Sequence, residues 1–176
     1  AEVSPSPASS ATDPREPTTG HVQIAENQKG VSFDNLFGPY IRGAKRLVVT
    51  DPYIRMFFQA KNLMDFMETV AKFMRDSNSI DVHLVTVKDE FKGDQQEDFF
   101  QQIQKNCIRT GIKFTWEYDE SGIHARHIVT DHGWKISLDR GFDVFQQYDM
   151  KDTFSLANRL QTHRSCKQFE VTYIKL

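Results

Sequence analysis

One octapeptide in this chain carries residue types that could do chemistry: His124-Ala125-Arg126-His127-Ile128-Val129-Thr130-Asp131. On an extended strand, His124 and Arg126 share a face while His127 and Val129 share the other. A histidine beside a fixed cation suits phosphate, because the imidazole can attack or donate a proton and the cation holds the oxyanion. Asp131, read as a turn residue, is placed to hold the imidazole's second nitrogen. The plain alternative is a run of polar strand and loop positions, since four of the six histidines fall between residues 124 and 163. No P-loop, Rossmann glycine fingerprint, zinc spacing or nucleophile elbow occurs, and no cofactor is expected.

Strands and helices must position these residues, and the pattern predicts them in alternation. Phe33 to Ile41 has helical spacing, and Leu47 to Thr50 reads as a buried strand ending at the Asp51-Pro52 turn. A long helix is predicted over 57–75, with Leu63, Phe66, Met67, Val70, Phe73 and Met74 as its apolar stripe. Strands follow at 80–87 and 112–118, with a helix over 95–109 between them. Residues 126–130 and 134–138 form a hairpin-like pair, and 169–174 a last strand. This order implies an α/β sandwich: a mixed, mostly parallel sheet flanked by helices.

The first 30 residues differ from the rest. They contain four of the six prolines and no aromatic residue. A segment so poor in apolar area reads as a disordered linker, leaving 31–176 as the domain. That domain carries 20 basic and 20 acidic groups, which argues against nucleic acid as a partner. Across all 176 residues the net charge is −2, 39% are hydrophobic and 12% aromatic, enough for a single buried core. Two cysteines make no disulfide framework, and a reducing, cytoplasmic compartment is expected.

His124, Arg126 and Asp131 lie on the His-x-Lys-x-x-x-x-Asp pattern of the phospholipase D superfamily, with Arg for Lys. The longer run His124 to Phe145 (HARHIVTDHGWKISLDRGFDVF), with Asp51-Pro52-Tyr53-Ile54-Arg55 before it, resembles the phospholipase D-like C-terminal domain of MIT domain-containing proteins. The resemblance implies a phospholipase D-like fold, a two-fold homodimer and binding to phosphoinositide-containing, anionic membranes. It further implies ESCRT-III partners, held through an N-terminal MIT bundle absent from this chain, and a role in cytokinesis at abscission. Peripheral attachment to late endosomes and to the midbody goes with that role.

Two departures make the motif vestigial by expectation. Arg126 replaces Lys, a swap that is not conservative where geometry is tight. The superfamily's Gly-Ser-x-Asn gives way to Ser137-Leu138-Asp139-Arg140. Phospholipase D chemistry needs two histidines, and this chain has one copy of the motif, so the alternative is an active phosphodiesterase completed by a dimer partner. For membrane and phosphate contact the expected residues are Arg159, His163, Arg164 and Lys167 in an acid-free stretch, with Arg126, Lys135 and Arg140 as a second group. Phe154 and Leu156 are expected to pack into the core, with shallow membrane insertion as the alternative.

Overall fold

The computed structural model describes residues 15–74, 79–149 and 151–176. The expected end of the long helix at Arg75, and residues 1–14 of the expected linker, lie outside them. Seven strands form one mixed sheet in the order β1-β7-β6-β5-β2-β3-β4. These are β1 (Gly20–Ile24), β2 (Arg46–Thr50), β3 (Ile80–Thr86), β4 (Ile112–Tyr118), β5 (His127–Thr130), β6 (Trp134–Leu138) and β7 (Phe169–Lys175). Helices α1 (Phe33–Ile41), α2 (Phe57–Phe73) and α3 (Gly93–Cys107) are long, and α4 (Leu156–Arg159) is a single turn.

Two crossovers, β2-α2-β3 and β3-α3-β4, advance in the same direction across the sheet; such connections are right-handed as a rule, which puts both helices on one face, where α2 and α3 are in contact. Alternate strand residues Leu47, Val49, Val82, Leu84, Phe114, Ile128 and Val171 are buried beneath α1, α2 and α3. Val48, His83, Thr115, Val129, Lys135 and Thr172, on the other face, are half-buried or exposed. The core is aromatic where α1 meets the chain after β6. Phe142 lies against Phe33, Phe37 and Phe66, with ring centroids 5.8, 6.0 and 4.8 Å away. Gly38 lets α1 approach α2, since a Cβ there would fall 2.5 Å from the Phe73 ring.

The mixed sheet has the opposite balance to the one expected. Only β2–β3 and β3–β4 are parallel, and the other four pairings are antiparallel. A parallel crossover needs a dozen or more residues, typically a helix. After β4 the only described helices are the four-residue α4 and a three-residue 3-10 turn at Gln161–His163, too short for a crossover, and β5, β6 and β7 pair antiparallel.

The linker expectation also needs correction for residues 15–30. β1 pairs with β7 along its whole length, from Gly20 opposite Tyr173 to Ile24 opposite Phe169. The Tyr40 hydroxyl donates to the Thr18 carbonyl at 2.6 Å, and Arg15 donates to the Asn35 carbonyl. An edge strand with one free side needs little apolar content of its own, and here only Ile24 is buried. That is why composition hid it.

Candidate functional site

β2 is where the sheet changes sense, with parallel β3 on one side and antiparallel β5 on the other. In α/β sheets the crevice beyond the carboxyl end of such a strand is where ligands bind. Asp51 is the first residue past that end, and its side chain is buried, with 4% exposure. Thr50 lies opposite His127, so the antiparallel register carries Arg126 beside Asp51. The Arg126 guanidinium stacks on the Tyr53 ring at 4.5 Å from its centroid. Gly141, at φ +59°, packs against both side chains. A Cβ there would sit 3.0 Å from Arg126 Cδ and closer still to Asp51 Oδ2, so only glycine fits.

These residues line a hollow of about 250 Å³ with Gln59, Asn62, Arg140, Phe142 and Asp143. Asp51 Oδ1 accepts a hydrogen bond from the Tyr53 amide at 2.9 Å. Burial pushes the Asp51 carboxyl up to about 6. The Tyr53 amide and Arg126 pull it down, and Asp143 pushes it further up. Asp143 is itself paired with Lys167 at 2.9 Å. The loop bearing Asp51 is pinned from both sides. Gln59 accepts from the Arg55 and Met56 amides, and the buried Gln96 amide donates to the Ile54 and Val87 carbonyls.

The motif residues do not converge. Asp131 lies at the far end of β5 from His124, separated by a four-residue strand of about 13 Å. It accepts from the Lys45 amide at 2.9 Å and holds no imidazole. His124 is exposed in the loop before β5, and only Arg126 of the three lines the hollow. Of the second cationic group, Arg126 and Arg140 meet in the hollow, whereas Lys135 stands on β6 opposite Val129, away from it.

The basic loop divides as well. Arg159 and His163 are exposed. Arg164 lies between Phe145 and Tyr148, 4.7 and 5.0 Å from their ring centroids, and donates to the Gln146 carbonyl. Lys167 is committed to Asp143. Both are structural cations rather than free ones. Accordingly, Arg164→Glu is expected to cost about 2 kcal/mol, by placing a carboxylate between two rings and near Asp65. That corresponds to a fall of roughly 4–8 °C in melting temperature. Arg159→Glu should leave the melting temperature unchanged.

Phe154 and Leu156 also depart from expectation: they are 96% and 67% exposed rather than packed in the core. The residues that sequence reasoning missed are Asp51, Asp143, Gln59 and Asn62. The signal for Asp51 is the Asp-Pro-Tyr-Ile-Arg segment closing a buried strand, which marks a turn and the family resemblance but not a buried carboxylate.

The motif spacing, the sheet and the hollow at its switch point can be set beside known proteins. The mouse MIT domain-containing protein 1 is 32% identical over 128 residues, covering 72% of this chain and 50% of that protein. The chain thus spans about half the length of that curated relative. Among solved structures, Nuc from Salmonella typhimurium, a phospholipase D family member, aligns with TM-score 0.45 and 13% identity over 88% of this chain and 84% of that one. Polyphosphate kinase from Porphyromonas gingivalis aligns with TM-score 0.45 and 8% identity over 88% of this chain and 23% of its own. The family model for the phospholipase D-like domain at the C-terminus of MIT proteins matches residues 30–175, from the turn before α1 to the end of β7. By that match and by its identity to the mouse protein, the chain belongs to the family of phospholipase D-like domains at the C-terminus of MIT proteins.

Proposed function

We propose that this domain is the membrane-attaching, dimerising half of an ESCRT-III-associated adaptor that acts in cytokinesis and abscission. On this reading it binds anionic, phosphoinositide-containing membranes at late endosomes and the midbody, and an MIT bundle outside this chain contacts ESCRT-III. The observation that carries the reading is the surface of residues 151–163. Phe154, Leu156 and Leu160 are 96%, 67% and 47% exposed, and exposed Lys151, Arg159 and His163 share the segment with one acid, Asp152.

Apolar side chains interleaved with cations match a membrane interface, where insertion and charge act together. A fully buried Phe or Leu contributes about 1.5–3 kcal/mol. Each cation near an anionic surface adds about 1 kcal/mol. One such loop attaches weakly, and a two-fold dimer multiplies its effect through effective concentration. We read the domain as a binder rather than a hydrolase. His124 stands outside the hollow, and the Asp51 and Asp143 carboxylates sit where a phosphodiester's charge would need to be received.

The test is co-sedimentation with phosphoinositide vesicles, with a phosphodiesterase assay on the same sample. Combined Phe154→Glu, Leu156→Glu and Arg159→Glu substitution should reduce binding at least tenfold with no change in melting temperature. Binding equal to the parent's would overturn the reading. Turnover that depends on His124 would establish the enzyme instead.

A further inference from the structure

The hollow at the end of β2 contains two opposite charges that do not meet. Arg126 makes no ion pair within 4 Å among the described residues, and its guanidinium is only stacked on Tyr53. Asp51 likewise has no cation within 4 Å among the described residues, and its one hydrogen bond comes from its own loop. Gly141 packs against both side chains, where a Cβ would clash with the Asp51 carboxylate and crowd Arg126 Cδ. A buried carboxylate with no cation in ion-pair contact costs stability, because the attraction of Arg126 offsets only part of its lost hydration. The other two charges of the hollow are already engaged: Arg140 Nε donates to the Gln168 carbonyl, and Asp143 is paired with Lys167.

A polyanion fits this cavity poorly, since Asp51 and Asp143 would repel it. A lone cation would meet Arg126 and Arg140. A ligand carrying both charges satisfies both sides. We infer that the hollow binds a zwitterion that pairs a phosphate with an ammonium group, of the phosphoethanolamine type. The phosphate lies on Arg126 and Arg140, and the ammonium on Asp51, with Gln59 and Asn62 completing the polar wall.

This chemistry occurs both as a free metabolite and as a lipid headgroup. A second hollow of about 330 Å³, lined by Phe57, Phe58, Phe145 and Tyr148, shares Asn62 and Asp143 with the first. An apolar continuation of that kind gives a lipid's glycerol and acyl carbons somewhere to lie. The inference is independent of the proposed membrane loop, because residues 151–163 line neither hollow.

Isothermal titration with phosphoethanolamine, inorganic phosphate and ethanolamine tests it directly. Phosphoethanolamine should bind at least tenfold more tightly than either fragment. Asp51→Asn keeps an acceptor for the Tyr53 amide while removing the charge. In that variant the preference should reverse, with inorganic phosphate binding as tightly as phosphoethanolamine or more so. Arg126→Gln should abolish binding of both. The loop variant at 154, 156 and 159 should bind phosphoethanolamine like the parent. Vesicles of phosphatidylcholine with and without phosphatidylethanolamine identify the source. Asp51-dependent co-sedimentation with the ethanolamine lipid supports a headgroup, and binding confined to the soluble compound supports the free zwitterion. Equal affinity of the parent for phosphate and phosphoethanolamine, no binding of phosphoethanolamine, or a preference unchanged by Asp51→Asn would overturn the inference.

Discussion

Removing residues 1–30 is expected to destabilise the domain by about 5 kcal/mol, lowering the melting temperature by roughly 10–20 °C. The truncation deletes β1 and with it five register pairs along β7. Ile24 leaves the core, a loss of about 1.5–3 kcal/mol. Tyr40 keeps its ring stack on Tyr173 but loses the Thr18 carbonyl that accepts its hydroxyl. Backbone bonds from Asn27 to Cys166, from Cys166 to Gln28 and from Gly30 to Thr162 also go. Each unpaired polar group left in the interior costs about 1–3 kcal/mol. β7 then becomes a free edge, so the truncated protein should aggregate as well as melt early. Thermal melts of the two proteins measure the effect, and a change under 3 °C would mean that β1 contributes no net stability. The family match begins at residue 30, so the strand that closes this edge of the sheet lies outside the shared pattern.

Much of the fold was legible because its elements are locally encoded. β4 and β6 coincide with the runs Ile112–Tyr118 and Trp134–Leu138, and α1 with Phe33–Ile41. Their period and bounding turns lie within a few residues of each other. β1 was not legible because an edge strand takes its stability from its partner, and Gly20–Ile24 has one buried side chain. The sense of the C-terminal strands was hidden for a related reason: pairing direction depends on what connects strands, and α4 is too short to carry a crossover. For the site, the motif singles out Arg126, and the structure places that residue in the hollow beside the end of β2. It could not mark Asp51, whose burial depends on β5 arriving beside β2 from about 75 residues away in the chain. A charge count likewise could not separate Arg159, which has no ion pair among the described residues, from Arg164 and Lys167, which rings and a carboxylate have already taken.

Asp51→Asn is expected to stabilise the domain near neutral pH by about 2–3 kcal/mol and to leave it unchanged in acid. The Asp51 carboxyl is raised from 3.8 to about 6, mainly by burial. Between those values the folded state binds a proton that the unfolded chain has released, so unfolding becomes easier as pH rises. The favourable contribution is fully present below about 3.8 and is lost as pH climbs through about 6. Asp65, also raised by burial, adds a trend of the same sign, so the informative quantity is the difference between parent and variant. Urea unfolding at pH 7.5 and 4.5 measures it. The variant should be more stable than the parent at pH 7.5, and the difference should shrink to about 1 kcal/mol at pH 4.5, closing only below about 3.8. If the variant is instead the weaker protein at pH 7.5, attraction from Arg126 outweighs the burial cost, and the two charges already satisfy each other without a ligand. If it is the stronger, the chain keeps a buried carboxylate that costs it stability. A stability cost retained at a strand end beside an unpaired guanidinium is what a binding site requires, because the ligand supplies the missing partner for both charges.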